Sequence, residues 1–224
     1  MITINDFQTN GYVVPMPQTN ETVTNNGVAT HHKQIYGQRF ASAQGTLAYA
    51  PCVYNLNLNA GTDTVFLPYY QDQAASVRLP GTGPVLFFVT SNLSGCAIYI
   101  GVNNNNRLIV THSNSQTGSD RLTMDNNVPS YQSRRAIREL DLYAQNARNN
   151  HGGAVRTVFV LTKAVYLGAL DALAANGGQW LGGTTVAGWR TPNTNNWQFH
   201  YQVWGSVRGG PVQLVRSREF YRNF

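Results

Sequence analysis

The sequence predicts an α+β body, a β-sandwich of two mixed or antiparallel sheets flanked by two helices. Three observations predict it. Hydrophobic residues make up 42% of the 224 residues and charged residues only 12%, a balance that suits one domain with a sizeable core. The apolar runs are short and rich in Val, Tyr, Phe and Ile, the residues that fit a pleated, half-buried surface. Helical spacing of apolar residues occurs in only two segments, both in the second half.

Taken in order, residues 1–44 are dominated by Asn, Thr, Gln and Gly and read as a polar, extended or partly ordered arm. The body, residues 45–224, reads as a single domain. Its β-prone runs are Thr46–Leu58, Thr64–Tyr70, Pro84–Thr90, Ala97–Val102 and Arg107–His112, separated by turn signals such as Asn59-Ala60-Gly61 and Pro80-Gly81-Thr82-Gly83. Over Ser130–Arg148, Ala136, Ile137, Leu140, Tyr143, Ala144 and Ala147 recur at helical spacing, with Arg134, Arg135, Arg138 and Glu139 on the other side. Asn149–Gly153 ends that helix, and His151 belongs to the stop. A strand over Val155–Thr162 and a second helix over Tyr166–Ala175 follow. The tail reads as three strands, Thr184–Arg190, Trp197–Ser206 and Pro211–Arg218. In the middle one Gln198, His200 and Gln202 alternate with Trp197, Phe199, Tyr201 and Val203.

The formal charge of +6 lies wholly in the second half, and the only lysines are Lys33 and Lys163 among sixteen basic residues. Arginine favours planar, bidentate contacts, which an acidic protein surface or nucleic acid would satisfy; the sequence demands neither. No RNA-binding aromatic signature accompanies it, so stable nucleic-acid binding is not expected. Cys52 and Cys96 do not make a disulfide framework, and no metal-ligand spacing occurs, His31-His32 included. No cofactor is expected. The N-terminus lacks the basic and apolar regions of an export signal, and no run approaches the length of a membrane span. The expectation is a protein with no membrane anchor, acting as a monomer.

The chemistry concentrates at Cys96 and His112. Cys96–Val102 is apolar and β-prone, Asn103–Asn106 is turn chemistry, and Arg107–His112 is β-prone again, so the two residues end one hairpin. If Gly101 pairs with Arg107 across a five-residue loop, Cys96 falls opposite His112 on the same face. A four-residue loop pairs Cys96 with Ser113 instead and turns His112 to the other face. A free thiol has a pKa of ~8.5 and needs a partner to make it nucleophilic; His112 is that partner, and amide chemistry is its natural use. Gly95 would let the backbone approach a substrate, and the Cys96 N–H would help hold an oxyanion. Thr90, ending the preceding apolar run, is the candidate for orienting the imidazole. The bland alternative makes Cys96 a small buried hydrophobe and His112 a polar strand end; Cys52 and His200 read that way.

Leu93-Ser94-Gly95-Cys96 followed by His112 resembles the catalytic signature of the family of glutamine deamidase toxins that includes Burkholderia lethal factor and the cytotoxic necrotizing factors. The likeness takes in Phe66-Leu67-Pro68-Tyr69-Tyr70-Gln71, Arg78-Leu79-Pro80-Gly81, Leu86-Phe87-Phe88 and Thr90, and recurs faintly from Thr184 to Glu219. The resemblance implies a necrotizing-factor-like β-sandwich flanked by helices. It also implies Cys96 as nucleophile, His112 as base and then acid, Thr90 as orienter, and Gly95 and Ser94 as backbone support. Chemoreceptor glutamine deamidases share a similar Thr–Cys–His order. The implied function is that of a bacterial toxin or effector, secreted without a classical signal peptide and acting in the host cytoplasm. It would convert one glutamine of a host protein to glutamate. The DEAD-box helicase subunit of translation initiation factor 4 is the favoured target, with translation arrest as outcome, and Rho-type GTPases come second. The rival readings are a deamidase of a bacterial protein and a non-catalytic glycan-binding β-sandwich using exposed Trp189, Trp197 and Trp204.

Overall fold

Alternation along β11 (Trp197–Val207) sends Trp197, Phe199, Tyr201 and Val203 to one face, and all four are buried in the core. The computed structural model describes residues 12–13, 32–40, 52–60, 64–70, 72–93, 95–115, 129–152, 155–173, 180–207 and 213–223. The other strands are β1 (Tyr12–Val13), β2 (His32–Phe40), β3 (Cys52–Ala60), β4 (Thr64–Leu67), β5 (Gln73–Arg78), β6 (Phe87–Thr90), β7 (Ala97–Asn103), β8 (Leu108–Asn114), β9 (Val155–Leu161), β10 (Trp180–Arg190) and β12 (Gln213–Arg222). The helices are α1 (Pro129–His151) and α2 (Lys163–Leu173).

These strands make two sheets, one of eight strands ordered β1-β3-β2-β4-β6-β10-β11-β12 and one of four ordered β5-β8-β7-β9. The larger is mixed, with β4–β6 and β1–β3 parallel; the smaller is antiparallel. Between them lies one core, to which the large sheet gives Leu67, Phe88, Val186 and Phe199 and the small sheet gives Val77, Ile98, Ile100 and Val110. The fold is therefore the α+β sandwich the composition predicts. Among the described residues no helix is long and apolar enough to cross a membrane.

Two strands lie where the sequence shows little strand signal. Residues 32–40, read as part of the polar arm, pair with β3 and β4. Strand β5 was not expected at all: its Ala74, Ala75 and Ser76 are too small to give an apolar run, yet all are buried against β8.

Helix α1 is also rotated from its expected orientation. Glu139, Tyr143, Asn146 and Ala147 face the small sheet, while Ile137 and Leu140 are 60% and 51% exposed. The sheet surface under α1 explains the inversion, because it presents hydroxyls and backbone edges rather than a greasy face. Ser113 donates to the Glu139 carbonyl at 2.7 Å, Asn146 donates to the Ala74 carbonyl at 2.8 Å, and Ser76 meets His151 at 2.8 Å. A buried polar surface needs polar partners, and α1 supplies them. Tyr99 and Tyr143 stack between helix and sheet with ring centroids 4.3 Å apart. His151 does end the helix, and Gly152 follows it with φ +71°, the left-handed C-terminal stop that glycine adopts without strain.

Arg190 closes the end of β10. Its guanidinium donates to the carbonyls of Val85, Gly81, Thr194 and Gly83, stapling the turn Gly81–Pro84 and the β10–β11 turn to one side chain that is only 3% exposed.

Candidate active site

The hairpin β7–β8 sets the site. Asn103 closes its turn: its N–H donates to the Arg107 carbonyl at 3.0 Å, and its side-chain oxygen accepts from the N–H groups of Asn105 and Arg107. Asn106 takes the left-handed φ of 54° that such a turn requires. The result pairs Val102 with Leu108 and Ile98 with His112, so the loop has five residues but closes one position later than the expected Gly101–Arg107 pair. The two strands are offset by two residues from the register that would set Cys96 opposite His112. A two-residue offset preserves the face. Cys96, which lies just before β7, and His112 therefore share the inner face as diagonal neighbours, a relationship for which separations of ~7–8 Å between strand positions are typical.

Cys96 sits at the crossing between the sheets. The chain leaves the large sheet at Leu93, which exchanges two backbone hydrogen bonds with Thr184 at 2.8 and 2.9 Å, and enters the small sheet at Ala97. The Cys96 carbonyl accepts from the Tyr166 hydroxyl at 2.7 Å, so α2 fixes the backbone at the thiol. Cys96 is 4% exposed and carries a reduced thiol within the inter-sheet core. Removing the Tyr166 hydroxyl leaves a buried carbonyl without its donor, and Tyr166→Phe is expected to cost about 1–2 kcal/mol in urea unfolding.

His112 is fully buried, flanked by Ile98 on one side and Ala75 on the other. Neither ring nitrogen has a hydrogen-bond partner among the described residues. Burial pushes its pKa down to about 3, so the imidazole is neutral at neutral pH and offers a lone pair. The half-buried Tyr69 ring covers it, with centroids 5.9 Å apart.

Thr90 ends β6, paired with Leu67 of β4, and is fully buried. Its hydroxyl donates to the Ser91 carbonyl at 2.7 Å. Gly95 is buried immediately before Cys96. Ser94 lies outside the described residues, as does the Cys52 side chain. Trp197, expected to be an exposed platform for a glycan, is instead fully buried, and its indole N–H donates to the Pro80 carbonyl; apolar bulk placed it in the core. Trp189 lines a cleft of about 360 Å³ with Gln198 and Arg222, at the opposite end of β6 from Thr90.

A polar group that the sequence did not reveal packs against Gly95, the residue before Cys96. Arg135 of α1 bonds Glu139 at 3.0 Å and Asn114 at 3.2 Å, and Asn114 in turn donates to the Tyr70 carbonyl. Both charged side chains were expected on the solvent face. The available signal was the Arg–Glu pair at i,i+4 in phase with Tyr143 and Ala147, but the Ile137–Leu140 stripe competes with it. Burial pushes the Glu139 carboxyl up to about 7, although Arg135 and Lys163 pull the other way.

No protein-family model matches the sequence, and no curated protein matches it. Among solved structures, the C-terminal domain of CNFy from Yersinia pseudotuberculosis aligns over 88% of this chain and 76% of its own, with a TM-score of 0.38 and 10% identity. It is a distant structural neighbour.

Proposed function

We propose that the protein is a glutamine deamidase acting on a protein substrate, with Cys96 as nucleophile and His112 as base and then acid. The observation that supports this reading is the placement of a thiol and a neutral imidazole on one face of adjacent strands. The imidazole nitrogens are not spent on any described protein group, and a general base needs that lone pair. The Leu93-Ser94-Gly95-Cys96 resemblance narrows amide chemistry to the glutamine carboxamide.

In the first step the Cys96 proton passes to His112 through one bridging water and the sulfur attacks the carboxamide carbon. The resulting oxyanion rests on backbone N–H groups at Gly95 and Cys96. Collapse expels ammonia, which carries the proton from His112, and leaves a thioester. Water, deprotonated by His112, attacks the thioester and releases glutamate while the proton returns to sulfur. Thr90 is the proposed orienting residue, its hydroxyl turning from the Ser91 carbonyl to the imidazole. The substrate side chain enters past Tyr69, which covers His112.

On the same resemblance the protein is a bacterial toxin or effector that acts in the host cytoplasm; it is further proposed to work as a monomer. Its target is the DEAD-box helicase subunit of translation initiation factor 4, with Rho-type GTPases as the second choice. Ammonia release from each purified target, assayed side by side, tests this assignment. Release with the helicase and not with a GTPase is expected; the reverse result overturns the target, and release from neither overturns both.

A further inference from the structure

An imidazole buried and neutral does not supply the positive charge that stabilises a thiolate before substrate arrives. A cation reaches the residue before Cys96 from α1. A Cβ built on Gly95 would stand 2.9 and 3.0 Å from the two terminal nitrogens of Arg135 and 3.2 Å from its central carbon. The guanidinium thus points its terminal nitrogens at Gly95, the residue preceding Cys96, into space that a Cβ there would crowd. It is held there from two sides, by Glu139 at 3.0 Å and by Asn114 at 3.2 Å. Its side chain is 10% exposed and that of Glu139 5%, so solvent screens the charge poorly. The Tyr166 hydroxyl, bonded to the Cys96 carbonyl at 2.7 Å, ties α2 to the same short stretch of backbone.

We propose that Arg135 is the positioning residue that sets the ionisation of Cys96, with its guanidinium aimed at Gly95 by Glu139 and Asn114. This inference rests on the reading of Cys96 as the nucleophile. The charge acts through space on the thiol and does not touch the substrate. Glu139 works against it, because an ionised carboxylate 3.0 Å from the guanidinium cancels much of its field. The other groups around the site are Lys163 and Tyr166 from α2, His112 from β8, Tyr69 from the β4–β5 connection, and Tyr99 and Tyr143 between α1 and β7. Burial raises Tyr99, Tyr143 and Tyr166 above the ordinary phenol range and keeps them neutral, while His112 is neutral for the same reason. Glu139 is the group near Cys96 whose charge changes around neutrality, since burial pushes it up to about 7.

The two charges make opposite predictions, which separates an electrostatic role from a structural one. The reporter is the ¹³Cβ resonance of Cys96 followed against pH in full-length protein labelled at cysteine, with the Cys52 signal assigned through Cys52→Ala. It needs no reagent to reach the buried thiol. Relative to the unsubstituted protein, Arg135→Gln is expected to raise the titration midpoint by about one pH unit. Arg135→Lys should restore part of that shift, and Glu139→Gln should lower the midpoint. Loss of packing alone would move Arg135→Gln and Glu139→Gln in the same direction, and that outcome overturns the proposal, as does an unchanged midpoint in Glu139→Gln. Should Arg135→Gln fail to fold, the direction of the Glu139→Gln shift decides. The ammonia assay is independent: a midpoint that follows these charges in a protein releasing no ammonia defeats the deamidase reading, not the role of Arg135.

Discussion

Arg190→Met is expected to destabilise the protein by about 3–5 kcal/mol, among the largest effects of any single substitution outside the apolar core. One guanidinium serves the carbonyls of Val85, Gly81, Thr194 and Gly83, and it is buried with the Val85 and Gly81 backbone. Methionine keeps the aliphatic length and removes every donor, so buried acceptors lose their only described partner at once. Each such loss costs about 1–3 kcal/mol, and charged donors lie at the upper end. Lysine keeps the charge but not the fork; Arg190→Lys should recover less than half of the loss. Urea unfolding followed by tryptophan fluorescence reads this directly, because Trp197 packs beneath the stapled turn through its bond to the Pro80 carbonyl. A midpoint within error of the unsubstituted protein would mean that the two turns hold without the staple.

The second large effect is on the pH dependence of stability. His112 has its pKa pushed to about 3 by burial, against ~6.5 in an unfolded chain. Between those values the unfolded chain binds the proton and the folded one does not, so stability rises with pH across this window. The contribution is complete above about pH 6.5 and is lost as the pH falls toward 3; the whole excursion is about 5 kcal/mol. His200 acts in the same direction, pushed down to about 4 by burial although Glu219 resists. Glu139 acts the other way. Its folded pKa of about 7 exceeds the ordinary carboxyl value, so the folded state holds the proton there and stability declines as pH rises from about 4.5 to 7. The net expectation is a loss of stability all the way from about pH 6.5 down to 3, steepest near pH 4–4.5, where Glu139 no longer offsets the two histidines, and carried below that by His112, with Glu219, held below the ordinary carboxyl value, adding to the acid side. His112→Gln should remove most of the acid limb below about pH 4.5. An acid limb unchanged in that variant would show that His112 is not buried as a neutral imidazole.

The parts of this molecule legible in its sequence are those encoded by local pattern. The β7–β8 hairpin announced itself through apolar runs around four asparagines, and the shared face of Cys96 and His112 belonged to one of the two loop lengths the sequence left open, the five-residue one. The exact register had no such signal, because Asn103 uses its side chain to extend the turn to Arg107, and no periodicity reports which asparagine closes a loop. Strand β5 was hidden because Ala74, Ala75 and Ser76 carry almost no hydrophobic signal while being fully enclosed. The orientation of α1 depended on the surface beneath it: Ser76 and Ser113 select its polar face, and those residues come from strands distant in sequence. Arg135 was misplaced for that reason, and the burial of Arg190 carried no local signal because its carbonyl partners come from two loops roughly a hundred positions apart. What composition could settle was the sheet-rich sandwich; what it could not was which charges the sandwich buries.

The measurement that bears most directly on the central claim is peptide mass spectrometry of the translation helicase treated in water enriched in heavy oxygen, with the unsubstituted protein and with Cys96→Ser in parallel. The expected result is one glutamine converted to glutamate, carrying a single solvent oxygen, and no conversion by the folded Cys96→Ser variant. Conversion by that variant at the same rate would contradict it, because the carboxamide would then be hydrolysed without the thiol.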